Sequence, residues 1–173
     1  MTMTSVNLWH DIEKDENYPE IVKIIVETPK GSRNRYDYDK KYNLIRLDRM
    51  TDVQCPGNCG FIPQTYAEDG NPLEAFVFTT ETTYPGILLK ARPLALLRIV
   101  EENLYTDKII CVGAYDPYIK KELSEELKGK IEELFKVYKR LEGKTVKSFE
   151  WKDASAAKRV IERAINLYER KFS

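Results

Sequence analysis

Residues 86–141 read GILLKARPLALLRIVEENLYTDKIICVGAYDPYIKKELSEELKGKIEELFKVYKRL, and inside this window the spacing of the apolar side chains changes. GILLKARPLALLRIVEEN and KIICVGAY are apolar β-formers parted by turn residues such as Asn103, so they predict strands. Beyond them, Leu123, Leu127, Ile131, Leu134, Phe135, Tyr138 and Leu141 recur at three and four, the stripe of an amphipathic helix that Gly143 can end. Upstream the β pattern continues through LEAFVFTT, YNLIRLDR, RNRYDYD and EIVKIIVETP. Residues 50–72, rich in Gly, Pro, Asn and Asp, form an extended loop system with short strands. Downstream, Val160, Ile161, Ala164, Ile165 and Tyr168 stripe a second helix with Asp153 as its N-cap. Six or seven strands followed by two helices predict an α+β fold: a small, closed or nearly closed antiparallel β-barrel, OB-like, with two C-terminal helices packed outside it. Residues 1–173 read as a single domain.

Strand alternation places chemistry at particular points. In EIVKIIVETP, Val22, Ile24 and Val26 share one face, and the other ends in a carboxylate, Glu27. In YNLIRLDR, Arg49 falls on the face of Ile45 and Leu47.

Composition excludes whole classes of function. Lys and Arg total 28, as do Asp and Glu, so no net charge drives adsorption to nucleic acid or anionic lipid. No apolar run suits a membrane span, and the opening MTMTSVNLWHDIEKDE has no basic region followed by an apolar stretch. A cytoplasmic protein with neither membrane nor nucleic-acid partners is predicted. Three cysteines, Cys55, Cys59 and Cys111, argue against a disulfide framework, and one histidine, His10, against multi-histidine zinc or His-based triad chemistry. Carboxylates, lysines, arginines and tyrosines are left to act.

The turn Glu68-Asp69-Gly70-Asn71-Pro72-Leu73-Glu74 crowds oxygen-bearing side chains at the entry to an apolar strand. Convergent oxygens suit a hard cation such as Mg²⁺, although solvated acids of a polar hairpin give the same pattern.

Here the chain resembles the family I inorganic pyrophosphatases, whose signature is D-x-D-P-x-D followed by apolar strand residues. The likeness runs in order through IIVETPKGSRNRYDYD, LDR, GFIPQT, EDGNPLEAFVF, PGILLKARPLALLRI, DKIICV, LFKVYKRLEGK and the W-x-x-A-x-x-A-K run from Trp151 to Lys158. It implies hydrolysis of diphosphate to two phosphates by metal-activated water, with Mg²⁺ or another divalent ion such as Mn²⁺, in a homo-oligomer, a hexamer in the prokaryotic branch. Carried over by position, Glu27, Asp69, Glu74 and Glu101 fall on metal-binding sites. Arg35, Arg49, Lys108, Tyr138 and Lys139 fall on phosphate-binding sites, and Asp37 on a further acidic position.

Several positions depart from the family pattern. Asn71 stands at the catalytic position where an aspartate is expected to accept the water's proton, which an amide cannot do. Glu74 and Glu101 lengthen expected aspartates, and Arg35 replaces a lysine. Thr106 replaces a metal-binding aspartate, for which Asp107 could substitute after a one-residue shift. Cys55 and Cys59 stand where tyrosines are usual; they serve loop packing, or, with Cys111 and an acid, a zinc site. Two other functions compete with catalysis: a fold relative that binds a phosphorylated ligand or protein partner without turnover, and an oligonucleotide-binding barrel.

Overall fold

The computed structural model describes residues 5–173, so the opening MTMT of the lead segment lies outside the described residues. The elements in chain order are β1 (Val22–Thr28), β2 (Asn34–Asp39), β3 (Leu44–Met50), β4 (Asn58–Ile62), β5 (Leu73–Phe78), β6 (Leu88–Val100), β7 (Tyr105–Gly113), α1 (Glu125–Leu141), β8 (Ser148–Asp153) and α2 (Ala154–Phe172). Strand β8 was not expected. Its SFEWKD alternates Phe149 and Trp151 with polar residues, the period of a one-face-buried strand, in a stretch too short to stand out between two helices.

Strands β1, β4, β5, β7 and β6 hydrogen-bond in that order, and β6 returns to β1, closing the ring. The expected all-antiparallel barrel is corrected at one seam, because β5 and β7 run parallel. A closed ring with an odd number of strands cannot alternate direction throughout. The ring is also incomplete along β6: one edge of that strand pairs with β1 from Leu88 to Ala91 and with β8 from Ala95 to Val100. Pro93, which has no N–H to donate, sits in the gap beside a bulge that ends at Ala95, so no ladder bond is lost where partners change.

Strands β5 and β7 are buried on both faces. Leu73, Ala75, Val77, Ile109 and Cys111 join the cluster capped by Ala157, Ile161 and Ile165 of α2. Phe76, Phe78, Ile110 and Val112 join the cluster capped by Ile131, Leu134 and Phe135 of α1. Burial on both sides explains their nearly unbroken apolar runs. Asp153 caps α2 as expected, accepting from the Ala156 N–H at 2.9 Å, and Ser124, not singled out in the sequence, caps α1 by accepting from the Leu127 N–H at 3.1 Å. Gly143, at φ +75°, follows α1 in the left-handed region that glycine tolerates.

At Gly60 of β4 an added Cβ would fall on the Ile25 carbonyl oxygen, so close approach of β1 and β4 requires glycine there. The N-terminal arm is less polar in its role than its composition suggests. Trp9 is buried, donates from Nε1 to the Thr65 carbonyl at 2.8 Å, and packs with His10 against Tyr168 and Phe172 of α2. It thereby ties α2 to the base of the loop that begins at Tyr66.

Candidate active site

A cavity of about 390 Å³ opens between the barrel, the β2–β3 hairpin, the 66–72 loop and the last turn of α1. Its size lies within the range of small-ligand pockets. Glu27, Arg35, Asp37, Asp69, Asn71, Glu74, Lys108, Tyr138 and Lys139 all line it, brought together from five separate stretches of chain.

Each side chain is delivered by local structure. Glu27 sits at a bulge in β1, where the register slips between Val26 and Thr28, and the extra residue turns the carboxylate off the ladder. Its Oε2 accepts the Tyr38 N–H at 2.7 Å. Burial pushes the Glu27 carboxyl up to about 7, against the opposing pull of that N–H and of Lys108. Glu74 and Lys108 are register partners on the parallel pair β5–β7, and their side chains form an ion pair on the cavity floor. Lys108 is buried there, and burial together with the neighbouring Lys139 charge lowers its ammonium to about 8.

Asp69 and Asn71 belong to a turn folded on itself. The Asn71 N–H donates to Asp69 Oδ1 at 3.0 Å, the Ala67 N–H donates to the Asn71 carbonyl at 2.8 Å, and Gly70 adopts φ +84°. Lys40, from the hairpin turn, donates to Asn71 Oδ1 at 2.8 Å. Asp37 pairs across the hairpin with Arg46 at 3.0 Å while still facing the cavity.

Helix α1 contributes Phe135, Tyr138 and Lys139, and its C-cap Glu142 joins them, at positions i, i+3, i+4 and i+7 of one face. Glu142 is a site residue that the sequence reading missed, although its i+4 relation to Tyr138 carried the signal. It holds the Arg35 guanidinium at 2.6 Å, and that guanidinium also lies over the Tyr138 ring, 4.7 Å from its centroid. Burial pushes the Tyr138 phenol well above its usual range.

Two candidates do not line the cavity. Glu101, buried at the end of β6, meets Lys139 at 2.8 Å. The contact is close enough for an ion pair but not aligned as a hydrogen bond, so Glu101 Oε1 is a buried oxygen without a donor. Arg49 is exposed and bonds to Asp48 at 3.0 Å. The expectation that Arg49 shares a face with Ile45 and Leu47 fails because β3 carries an extra residue: Arg35 opposes Arg49, but Tyr36 opposes Leu47. The bulge breaks the alternation and brings Asp48, rather than Arg49, to 3.9 Å from Arg35.

The suggested replacement of Thr106 by Asp107 is also overturned. Asp107 registers against Arg98, which holds its carboxylate with two bonds of 2.9 and 3.0 Å. Thr106 does line the cavity, and its Oγ1 is the other buried side-chain oxygen without a partner among the described residues. The zinc reading fails on strand alternation: Cys111 faces the α2 cluster, whereas Cys55 and Cys59 belong to the α1 cluster. No group of three His, Cys, Asp or Glu stands ready to hold a metal among the described residues.

The donor chemistry nevertheless suits a hard divalent cation. Five carboxylates line the cavity, Glu27, Asp37, Asp69, Glu74 and Glu142, against four cations, Arg35, Lys108, Lys139 and Lys144. Two lysines occupy carboxylates, Lys108 on Glu74 and Lys139 on Glu101, and two buried oxygens lack donors. An acid-rich pocket of this kind repels a polyanion unless further positive charge enters, and oxygen ligands select hard ions.

The comparisons agree with this geometry. A family model described as inorganic pyrophosphatase matches residues 24–169. A Haloferax volcanii protein named inorganic pyrophosphatase is 40% identical over 97% of this chain and 99% of its own. One of the same name from Picrophilus torridus is 37% identical over 96% and 98%. The crystal structure of the Thermus thermophilus inorganic pyrophosphatase superposes with a TM-score of 0.87 at 34% identity, over 95% of this chain and 99% of that one. Agreement at this level spans nearly the whole of each relative and does not point to a derivative that has lost turnover. No helix among the described residues is long and apolar enough to cross a membrane. Cavity, topology and full-length likeness converge: the chain belongs to the family I inorganic pyrophosphatases.

Proposed function

We propose that this chain hydrolyses diphosphate to two phosphates in the cavity between barrel and hairpin, with Mg²⁺, or Mn²⁺ in its place, as the cofactor. The observation that carries the reading is the meeting, on one cavity, of carboxylates from β1, β5 and the 66–72 loop with cations from β2, β7 and α1. Glu27, Asp69 and Glu74 are the ligands we assign to the cation, with Glu101 reached from behind Lys139. A divalent ion held there supplies Lewis acidity, lowering the pKa of water and offsetting phosphate charge.

The chain's own groups divide the remaining work. Lys108, paired with Glu74, and Lys139, paired with Glu101, would present ammonium groups to phosphoryl oxygens, while the two carboxylates would help hold the cation. Arg35 offers a planar fork of donors and Tyr138 a hydroxyl, so charge on the departing phosphate is met by fixed donors. Arg49, at the hairpin rim, meets phosphate only if the hairpin closes. The side chain of Asn71 orients water by hydrogen bonding without taking its proton.

We read residues 1–173 as one catalytic domain, placed in the cytoplasm and assembled as a homo-oligomer, a hexamer by family resemblance. Exposed apolar side chains on the hairpin, Leu47 and Met50, support an assembly surface. The deciding experiment is phosphate release from diphosphate with Mg²⁺ or Mn²⁺. Turnover that a chelator abolishes is expected, and a rate equal to the protein-free control would reject the reading.

A further inference from the structure

One pair of groups at the cavity wall has no part in hydrolysis. Cys59 of β4 lines the cavity, and its Sγ lies 3.5 Å from Sγ of Cys55 in the preceding loop; both are free thiols. Cys55 is buried, while Cys59 is partly open to the cavity, so a small solute reaches Cys59 first. Glu27 of β1, Lys108 of β7 and Tyr138 of α1 share this wall.

A disulfide needs sulfurs about 2.05 Å apart. The remaining approach falls on Cys55, because Cys59 is held between β1 and β5, opposite Thr28 and Phe76. Cys55 in turn is bonded to the segment that leads into β2: its N–H donates to the Ser32 carbonyl at 3.0 Å, and its carbonyl accepts the Gly31 N–H at 2.8 Å. Moving Cys55 therefore moves the entry to the strand that carries Arg35.

We propose that Cys55 and Cys59 are an oxidisable dithiol whose conversion to an intramolecular disulfide by hydrogen peroxide displaces Arg35 and slows turnover in the adjoining cavity. The Cys59 thiolate attacks one peroxide oxygen, the O–O bond breaks, and the hydroxide released takes a proton to leave as water, giving a sulfenic acid. The Cys55 sulfur then attacks the sulfenic sulfur. The S–O bond breaks, and hydroxide leaves with the Cys55 proton as a second water. Two thiols lose two electrons in all, and one peroxide gains them. The neighbouring Cys55 thiol and burial push the Cys59 pKa up, so its oxidation is slower than that of an exposed cysteine.

The effect on turnover rests on the diphosphate-hydrolysis reading, whereas the thiol chemistry does not, so the experiment reads them separately. The reduced full-length chain is treated with peroxide, denatured, alkylated and digested with trypsin, which leaves both cysteines in the peptide spanning residues 50–90. The expected result is an unalkylated peptide about 2 Da lighter than its dithiol form. Diphosphate hydrolysis falls about tenfold or more, as a misplacement near 1 Å can cause, and returns with dithiothreitol. Cys111→Ser keeps this response, and Cys55→Ser and Cys59→Ser each abolish it. Two alkylated cysteines in that peptide after peroxide, sulfinic or sulfonic acid in place of the disulfide, or a disulfide that leaves turnover unchanged would each overturn the proposal. A reduced chain that releases no phosphate overturns the functional reading instead, while the peptide still decides the thiol chemistry.

Discussion

The barrel and the β2–β3 hairpin face each other across the cavity and are held in opposite ways. Barrel strands are bonded along both edges and buried: β5 has Leu73, Ala75, Phe76, Val77 and Phe78 inside, and Glu74 is the one residue of the strand that is not fully buried. No residue of β2 or β3 is fully buried, and the two strands pair only with each other. The hairpin is tied to the barrel by particular groups. Thr28 Oγ1 exchanges hydrogen bonds with the backbone of Tyr36, Glu27 accepts the Tyr38 N–H, and the Tyr38 ring stacks on Phe61 at 4.8 Å. Groups that must keep one geometry, Glu27, Glu74 and Lys108, thus stand on the stiff side, and Arg35, Asp37 and Arg49 on the adjustable side. Glu27 belongs to both, as a cavity carboxylate and as a hairpin anchor, so its ionisation state reaches the hairpin directly.

The largest expected effect tests the loop gripped between the two sides. Asn71→Asp supplies a carboxylate where the family resemblance places a base and should raise kcat by about 10²–10⁴; an unchanged kcat in the folded variant would show that a base at this position does not limit turnover. Lys108→Met removes a fixed charge from the stiff wall and should lower kcat by about 10²–10³, measured as initial rates at saturating Mg²⁺. A loss below tenfold would place the main phosphate contact elsewhere.

Acidity gives an intermediate effect. With its carboxyl raised from 4.5 to about 7, Glu27 keeps a proton that an entering cation must displace. Cation affinity should therefore fall by about tenfold per pH unit below 7 and level off above it. Calorimetric titration with Mn²⁺ from pH 5.5 to 8 checks this, and a flat profile would contradict it. The sign for stability is the reverse of an ordinary ion-paired acid. Between 4.5 and 7 the folded chain holds more proton at Glu27 than the unfolded chain, so this group's contribution to stability declines as pH rises through that window. The smallest effect belongs to the hairpin rim. Arg49→Ala should change kcat/KM by no more than about fivefold, since an exposed pair such as Arg49 with Asp48 is worth under about 1 kcal/mol. A loss as large as that of Lys108→Met would mean that the hairpin closes over substrate and is as fixed in the working enzyme as the barrel.

Much of this arrangement was legible in the sequence. The switch from strand to helix spacing located α1 and α2, Asp153 announced itself as a cap, and the turn at Asp69 to Glu74 pointed to a cluster of oxygens. What escaped were features in which one residue shifts a register. The bulge in β3 turned Arg49 away, and the pairing of Asp107 with Arg98 left Thr106 at the wall. Glu142 was overlooked because it lies just past the apolar stripe, although helical spacing joins it to Tyr138.

Local periodicity, turn chemistry and composition thus determined the elements, their buried faces and the residue types able to do chemistry, because these depend on neighbours a few positions apart. Only the tertiary structure decided which seam of the ring runs parallel, that Lys108 meets Glu74 while Lys139 meets Glu101, and that Cys55 comes to lie beside Cys59. Those outcomes follow from strand parity, bulges and long-range pairing, in which a single inserted residue sends a side chain to the opposite face and no local pattern records the partner.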